Sequence, residues 1–283
     1  MPKIIMGNHQ TKLGNFEPLF DKNIPHILEK IFHSLDYNSF MESKKVCKTW
    51  NELLSSKSYY EMEMKLLKEK KNENKLCQAS YTGTLHEVRH ILRNGVNPNC
   101  FGTSKYSTDP FLKITPIQHA LLGYGYGGRV KIIKLLIREG ADPNKCSKME
   151  RGEESPLSYA VKYTATDVVK VLLEGGSDPN LCNLRGESPL CHWYPKPDNV
   201  KLLLEAGSDP NKADNKGRTP LCKAASLDQT YLVKILLDAG ANPTTGTPLW
   251  HAKDKGNKDV ERMLLSKMSK WERVRETMLC LLL

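Results

Sequence analysis

Three short patterns in this 283-residue chain have residue types suited to chemistry. His86-Glu87-Val88-Arg89-His90 spells H-E-x-x-H, which on a helix sets two imidazoles one turn apart for zinc, with the carboxylate as base. Arg93 and Val96 stand where the extended pattern carries Gly and a third His, so the protease reading is short of a ligand. Gly123-x-Gly125-x-x-Gly128 spells the dinucleotide fingerprint, which must follow a strand and open a helix to bring a pyrophosphate to the helix N-terminus. Here Pro116-Ile117-Gln118-His119-Ala120-Leu121-Leu122 precedes it and reads as a helix, which favours a plain turn insert. The terminal Cys280-Leu281-Leu282-Leu283 fits C-a-a-X with Leu at X, which makes Cys280 a candidate for geranylgeranylation. Lys267, Lys270, Arg273 and Arg275 would add an electrostatic membrane signal.

The cysteines suggest no further chemistry. Eight in 283 residues, with no C-x-x-C, are too sparse for a disulfide scaffold and point to a reducing compartment without structural zinc. Cys77, Cys191 and Cys222 hold equivalent places in a repeating pattern, and Cys146 and Cys182 each follow a Pro-Asn turn, which favours packing over catalysis. No apolar run approaches the length of a membrane span, and the first residues lack a signal-peptide core.

The elements that must position these motifs repeat. Gly95-Val96-Asn97-Pro98-Asn99 returns as Gly140-Ala141-Asp142-Pro143-Asn144, Gly176-Ser177-Asp178-Pro179-Asn180 and Gly207-Ser208-Asp209-Pro210-Asn211, then as Gly240-Ala241-Asn242-Pro243. A Thr/Ser-Pro-aliphatic element opens every unit after the first, at Pro116, Pro156, Pro189, Pro220 and Pro248. Pro in a first helical turn loses no hydrogen bond, and the preceding Thr or Ser can cap the helix. Gly suits the left-handed residue that ends the Leu-rich second helix, and Asp/Asn-Pro-Asn starts a turn into a hairpin. Such a unit cannot bury its own apolar face and must stack on neighbours.

These residues resemble the ankyrin repeat, over about 75–268, with five clear units and a closing sixth. The resemblance implies a solenoid of helix-turn-helix units with short β-hairpins. The departures from it are an insert from Phe101 to Lys113, the Gly-rich turn at 123–128, and a short fourth unit. That unit carries Trp193 and Tyr194 where Ala is preferred, and its first helix is expected to end at Pro195-Lys196-Pro197. Inserts in stacked repeats lie on one face, so Phe101, Lys105, Tyr106, Phe111, Lys148, Arg151, Trp193 and Tyr194 are the candidate target-binding residues. Loop drift, or Trp193 filling space between units, is the plainer alternative. For the tail the alternative to lipidation is a cap: Trp271, Val274, Met278 and Leu281 share a helical face that would cover the last repeat.

Ahead of the repeats, Leu28, Ile31 and Leu35 follow Pro25 at helical spacing, a second helix would run from Ser39 to Val46, and Cys47 to Leu54 forms a third segment. So small a unit needs a partner for its Leu, Val and Trp. Ile24-Pro25, Leu28, Leu35-Asp36 and Val46-Cys47-Lys48-Thr49-Trp50 closely resemble the F-box, which docks on the Skp-type adaptor of cullin-RING ubiquitin ligases. The resemblance implies an adaptor-binding face of Pro25, Leu28, Ile31, Leu35, Val46, Cys47 and Trp50; a three-helix cap on the solenoid is the alternative.

The expected organisation is mostly α: an arm at 1–23, an F-box at 24–57, a connecting helix at 58–75, ankyrin repeats at 76–268 and a tail at 269–283. The expected role is a non-catalytic substrate receptor of a Skp–cullin–F-box ligase with an unidentified protein target. A plain interaction scaffold is the alternative. No cofactor or metal is expected, and the location is cytoplasmic or nuclear, with a membrane only if Cys280 is prenylated. The formal charge is +10, of which residues 76–283 carry +7 (29 basic against 22 acidic). That excess favours an acidic target surface, and no nucleic-acid module is recognisable.

Overall fold

The computed structural model describes residues 57–102, 113–123, 128–149, 152–192 and 195–282. The chain divides into two compact units, Met1–Lys70 and Lys71–Leu283. The arm and all but the last residue of the segment expected to be an F-box lie outside the described residues, within the first unit.

Among the described residues the elements are α1 (Lys57–Thr82), α2 (Leu85–Arg93), α3 (Pro116–Leu122), α4 (Arg129–Arg138), β1 (Ser147–Met149), β2 (Gly152–Glu154), α5 (Pro156–Tyr163) and α6 (Thr166–Glu174). A 3-10 turn (Pro189–Cys191) follows, then α7 (Pro197–Glu205), α8 (Pro220–Ser226), α9 (Thr230–Asp238), α10 (Pro248–Asp254), α11 (Lys258–Lys267) and α12 (Lys270–Leu282). The residues that punctuate the sequence account for these limits. Thr115, Ser155 and Thr219 are extended and their hydroxyl oxygens accept from the backbone N–H of Gln118, Ser158 and Cys222, with Pro next in line. At the other end, Gly140 sits at φ +91° and Ala141 N–H reaches Leu136 O at 2.9 Å, the Schellman closure. A Cβ on Gly140 would touch nothing within 4 Å, so the left-handed φ selects glycine there, not crowding.

The second unit stacks in two rows. One row runs α3, α5, the 3-10 turn, α8, α10 and α12; the other runs α2, α4, α6, α7, α9 and α11, each helix packing on the next. A single apolar cluster threads between the rows from Leu76 to Met268, with Leu136, Val169, Leu172, Leu203, Val233, Leu236 and Leu264 fully buried. Burying one such leucine stabilises by about 1.5–3 kcal/mol, and every interface between units uses several.

The turns lock neighbouring units together. Asn99, Asn144, Asn180 and Asn211 each donate through Nδ2 to the left-handed glycine carbonyl of the following unit (Gly140, Gly176, Gly207 and Gly240), at 2.8 to 3.2 Å. Their Oδ1 atoms accept from the next residue but one: Asp142, Asp178, Asp209 and Asn242. Those side chains in turn accept from Asn144, Asn180, Asn211 and Thr244, so the chain of bonds runs through the array. Asn is needed because it donates and accepts at once, which Asp cannot do.

Four expectations change. The connecting helix and the first repeat's opening helix are one element, α1, since nothing between Lys57 and Thr82 breaks a helix. Paired strands are found among the described residues only at β1–β2, extended by bridges Gly102↔Ile114 and Lys113↔Lys148; the other units close with turns. The fourth unit's first helix shrinks to the single 3-10 turn, because Pro195 has no N–H with which to continue a helix and Pro197 already opens α7. The fourth concerns α12. Trp271, Val274 and Met278 do share one face, but they are 85%, 49% and 60% exposed, and Glu276 at 3% is on the covered side.

Candidate functional site

The third residue after each repeat proline is His119, Tyr159, His192, Lys223 and His251 in turn. Because the prolines start equivalent helices, these side chains fall in one column along the first row. Tyr159 stacks on Tyr163 with ring centroids 4.7 Å apart, and Lys162 Nζ lies 4.6 Å from the Tyr163 ring. Tyr163 is half exposed, which leaves an aromatic and cationic surface open to a partner. Arg129 raises no barrier to this: one of its guanidinium N–H groups is committed to Gly123 O.

Further along the row the column becomes ionic at Lys223. Lys223 Nζ is 2.6 Å from Glu187 Oε1 and 3.6 Å from Asp214 Oδ2, and Arg218 donates to Asp214 Oδ2 through both Nε and Nη2. Lys223 and Asp214 are buried, so their charges are paired within the protein rather than solvated by bulk water. Burial alone would raise the Glu187 carboxyl, but hydrogen bonds from Lys223 and Asn183 outweigh it and hold it below the ordinary value. Asp214 behaves alike: burial is offset by the Arg218 side chain and by backbone N–H groups of Arg218 and Lys216. His192 is pushed down to about 4, first by burial and then by Lys162. Burial also lowers His119, against the hydrogen bond that its Nδ1–H donates to Thr115 O at 3.0 Å.

The motifs singled out from sequence find plain structural places. His86, Glu87 and His90 are exposed on α2; Glu87 Oε2 accepts from the Thr84 hydroxyl and His90 Nε2 bonds Asn94. Among the described residues no group of three His, Cys, Asp or Glu is placed to hold a metal. Gly123 and Gly128 lie against the backbone of the first repeat, where a Cβ on Gly123 would overlap Tyr81 O and one on Gly128 would sit 2.8 Å from Gly83 O. The turn follows a helix, and crowding explains Gly123 and Gly128 without a phosphate. The Cys77, Cys191 and Cys222 thiols are buried and donate to carbonyls of the following unit: Ile114, Lys212, and Thr245 with Gly246. Burial raises the Cys191 and Cys222 thiols, which suits packing rather than reactivity. Cys280 is half-buried against the core.

Of the candidate target-binding residues, Phe101 and Lys148 lie within the described residues. Lys145 Nζ stands 4.3 Å from the Phe101 ring, while Lys148 is exposed and pairs through its backbone with Lys113. The bridges from 102 to 114 and from 113 to 148 bring the two candidates' segments together. Lys105, Tyr106, Phe111, Arg151, Trp193 and Tyr194 lie outside the described residues, as do Pro25, Leu28, Ile31, Leu35, Val46, Cys47 and Trp50. Sequence reasoning overlooked Tyr159, Tyr163 and the Glu187–Asp214–Arg218–Lys223 cluster. One signal was available: Lys223 interrupts the apolar run Leu221-Cys222-Lys223-Ala224-Ala225.

Comparison with known proteins agrees with this geometry. A family model described as ankyrin repeats (3 copies) matches residues 76–183 and 190–273, and an F-box domain model matches 23–62. A crystallised ankyrin repeat domain from Acinetobacter baumannii AYE is 25% identical, with a TM-score of 0.54, over 68% of this chain and 96% of that one. No curated protein sequence matches. The chain belongs to the ankyrin-repeat family, and with an F-box domain ahead of the array it is an F-box protein with ankyrin repeats. Both domains are interaction modules.

Proposed function

We propose that this chain is the substrate-recognition subunit of a Skp–cullin–F-box ubiquitin ligase. The observation that carries the reading is the F-box match at 23–62 directly ahead of ankyrin repeats that begin at 76. Pro25, Leu28, Ile31, Leu35, Val46, Cys47 and Trp50 form or support the face that binds the adaptor, by the F-box pattern they follow. The array holds the target protein, through the Tyr159–Tyr163–Lys162 surface and the Phe101–Lys148 edge, with Lys105, Tyr106 and Phe111 following Phe101 in the insert, Arg151 near Lys148, and Trp193 and Tyr194 in the short fourth unit. The +7 charge of residues 76–283 selects an acidic target surface. The receptor forms no bond itself. It raises the effective concentration of target lysines near the charged ubiquitin-conjugating enzyme.

The test is adaptor capture by the full chain and by Leu28→Ala/Trp50→Ala. Wild type retains a Skp-type adaptor and cullin while the double variant loses both. Equal recovery, or recovery from neither, leaves an interaction scaffold as the function. Affinity enrichment with the double variant, which holds targets without degrading them, then identifies the target.

A further inference from the structure

The last helix presents the wrong side to water. α12 takes the next place in the first row, against α10, where an interior unit would have its own first helix. In the interior, the outward side of each such helix is covered by the following one. On α12 the covered side carries Glu276, 3% exposed, and the half-buried Cys280, while the exposed Arg273 donates through Nε to Met268 O at 3.0 Å. The outward side carries Trp271, Val274 and Met278, at i, i+3 and i+7. Three large apolar side chains in one exposed stripe mark a surface that binds something apolar.

The charges beside the stripe say what. By helical spacing, Arg275 lies next to Trp271 and Met278 on one flank, and Lys270 lies next to Val274 on the other. Both are exposed; Arg275 also touches Glu276 at 3.2 Å. Residues 267–283 carry four basic and two acidic side chains. A second copy docking the same face would set Lys270 and Arg275 against their like, which opposes self-association. A flat apolar stripe with a Trp and cationic flanks is instead the pattern of a helix lying in the plane of an interface, its basic stems reaching up to phosphates.

We propose that the outward face of α12 docks on an anionic membrane surface. Trp271, Val274 and Met278 enter the boundary between headgroups and acyl chains, and Lys270 and Arg275 contact lipid phosphates. The site is independent of the ligase reading, and it needs no lipid on Cys280.

Sedimentation of the full chain, made in bacteria, with phosphatidylcholine vesicles with and without phosphatidylserine tests this. Wild type binds the anionic vesicles, and binding weakens as salt rises. Trp271→Ser/Met278→Ser and Lys270→Glu/Arg275→Glu each lower the vesicle partition coefficient by about tenfold or more. All four positions are exposed, so both variants should melt with wild type. Loss of the blue shift in tryptophan emission on vesicle addition, in the Trp271→Ser/Met278→Ser variant, reports insertion of Trp271 itself. The proposal fails if wild type ignores anionic vesicles or if both variants bind as well as wild type. It fails equally if light scattering shows a wild-type dimer that Trp271→Ser/Met278→Ser converts to monomer, since a second copy then covers the face.

Discussion

Lys223 Nζ lies 2.6 Å from Glu187 Oε1, which ties the fifth unit to the fourth across 36 residues of chain. The same ammonium is 3.6 Å from Asp214, and its side chain is only 3% exposed. One buried cation thus serves two carboxylates, with Arg218 supporting the second. Such a cluster fixes how two stacked units meet more than it adds net stability, because desolvation cancels most of the attraction.

That asymmetry predicts the effect of removing the cation. Lys223→Met keeps the aliphatic stem but strands Glu187 and Asp214, and breaking a buried pair costs about 3–5 kcal/mol. Urea denaturation is expected to show a loss near the lower end, since Arg218 still holds Asp214. A variant within 0.5 kcal/mol of wild type, about the noise of an ordinary surface substitution, would refute the burial argument.

The same region predicts sensitivity to acid. His192 has a folded pKa of about 4 against 6.5 unfolded, so below pH 6.5 the unfolded chain takes a proton that the folded chain refuses. Stability is fully present above 6.5, falls as pH drops toward 4, and stops changing on this account below that. His119 and His251, both lowered chiefly by burial, act in the same direction. Glu187 and Asp214, held below their ordinary values, extend the loss beneath the carboxylate range. His192→Gln is expected to make the urea midpoint shallower against pH between 6.5 and 4. Identical pH profiles for variant and wild type would count against the buried, neutral imidazole.

How much of this was legible beforehand depends on sequence separation. The Gly-Asp-Pro-Asn and Thr-Pro marks are local: each sets a cap or a φ within four residues, so the array and its limits could be read directly. Phe101 could be singled out because it opens an insert that breaks the period, and Lys148 because it lies in the hairpin that follows. The ion cluster was hidden, since Glu187, Asp214 and Lys223 meet only once two units have stacked. The orientation of α12 was misread for a related reason. Trp271, Val274 and Met278 define an apolar stripe, but periodicity says nothing about which side a neighbour covers.

The asparagine ladder predicts a loss of cooperativity. Asn180 donates to Gly207 O and accepts from Asp209 N–H, so Asn180→Ala removes two of the hydrogen bonds that join the third and fourth units. At about 1 kcal/mol for each bond, the variant should be less stable by about 2 kcal/mol. In a stack held by nearest-neighbour terms, a weakened junction lets the two sides melt separately. The checkable sign is a lower urea m-value or a split transition. A lower midpoint at unchanged slope would mean that the core alone carries coupling across that junction.

The Gly-rich turn offers a test that separates crowding from ligand binding. If Gly123 is present because the chain passes over Tyr81 O, then Gly123→Ala must push the turn away from the first repeat. Overpacking of this kind costs about 1–3 kcal/mol, and more where the obstructing atom is backbone that cannot rotate aside. The melting temperature should fall whether or not a dinucleotide is in solution, and added NADH should stabilise neither wild type nor variant. Stabilisation of wild type by NADH that Gly123→Ala abolishes would restore the phosphate-binding account. The prediction is sharp because the two accounts need glycine for different reasons: one for a backbone already in place, the other for a ligand yet to arrive.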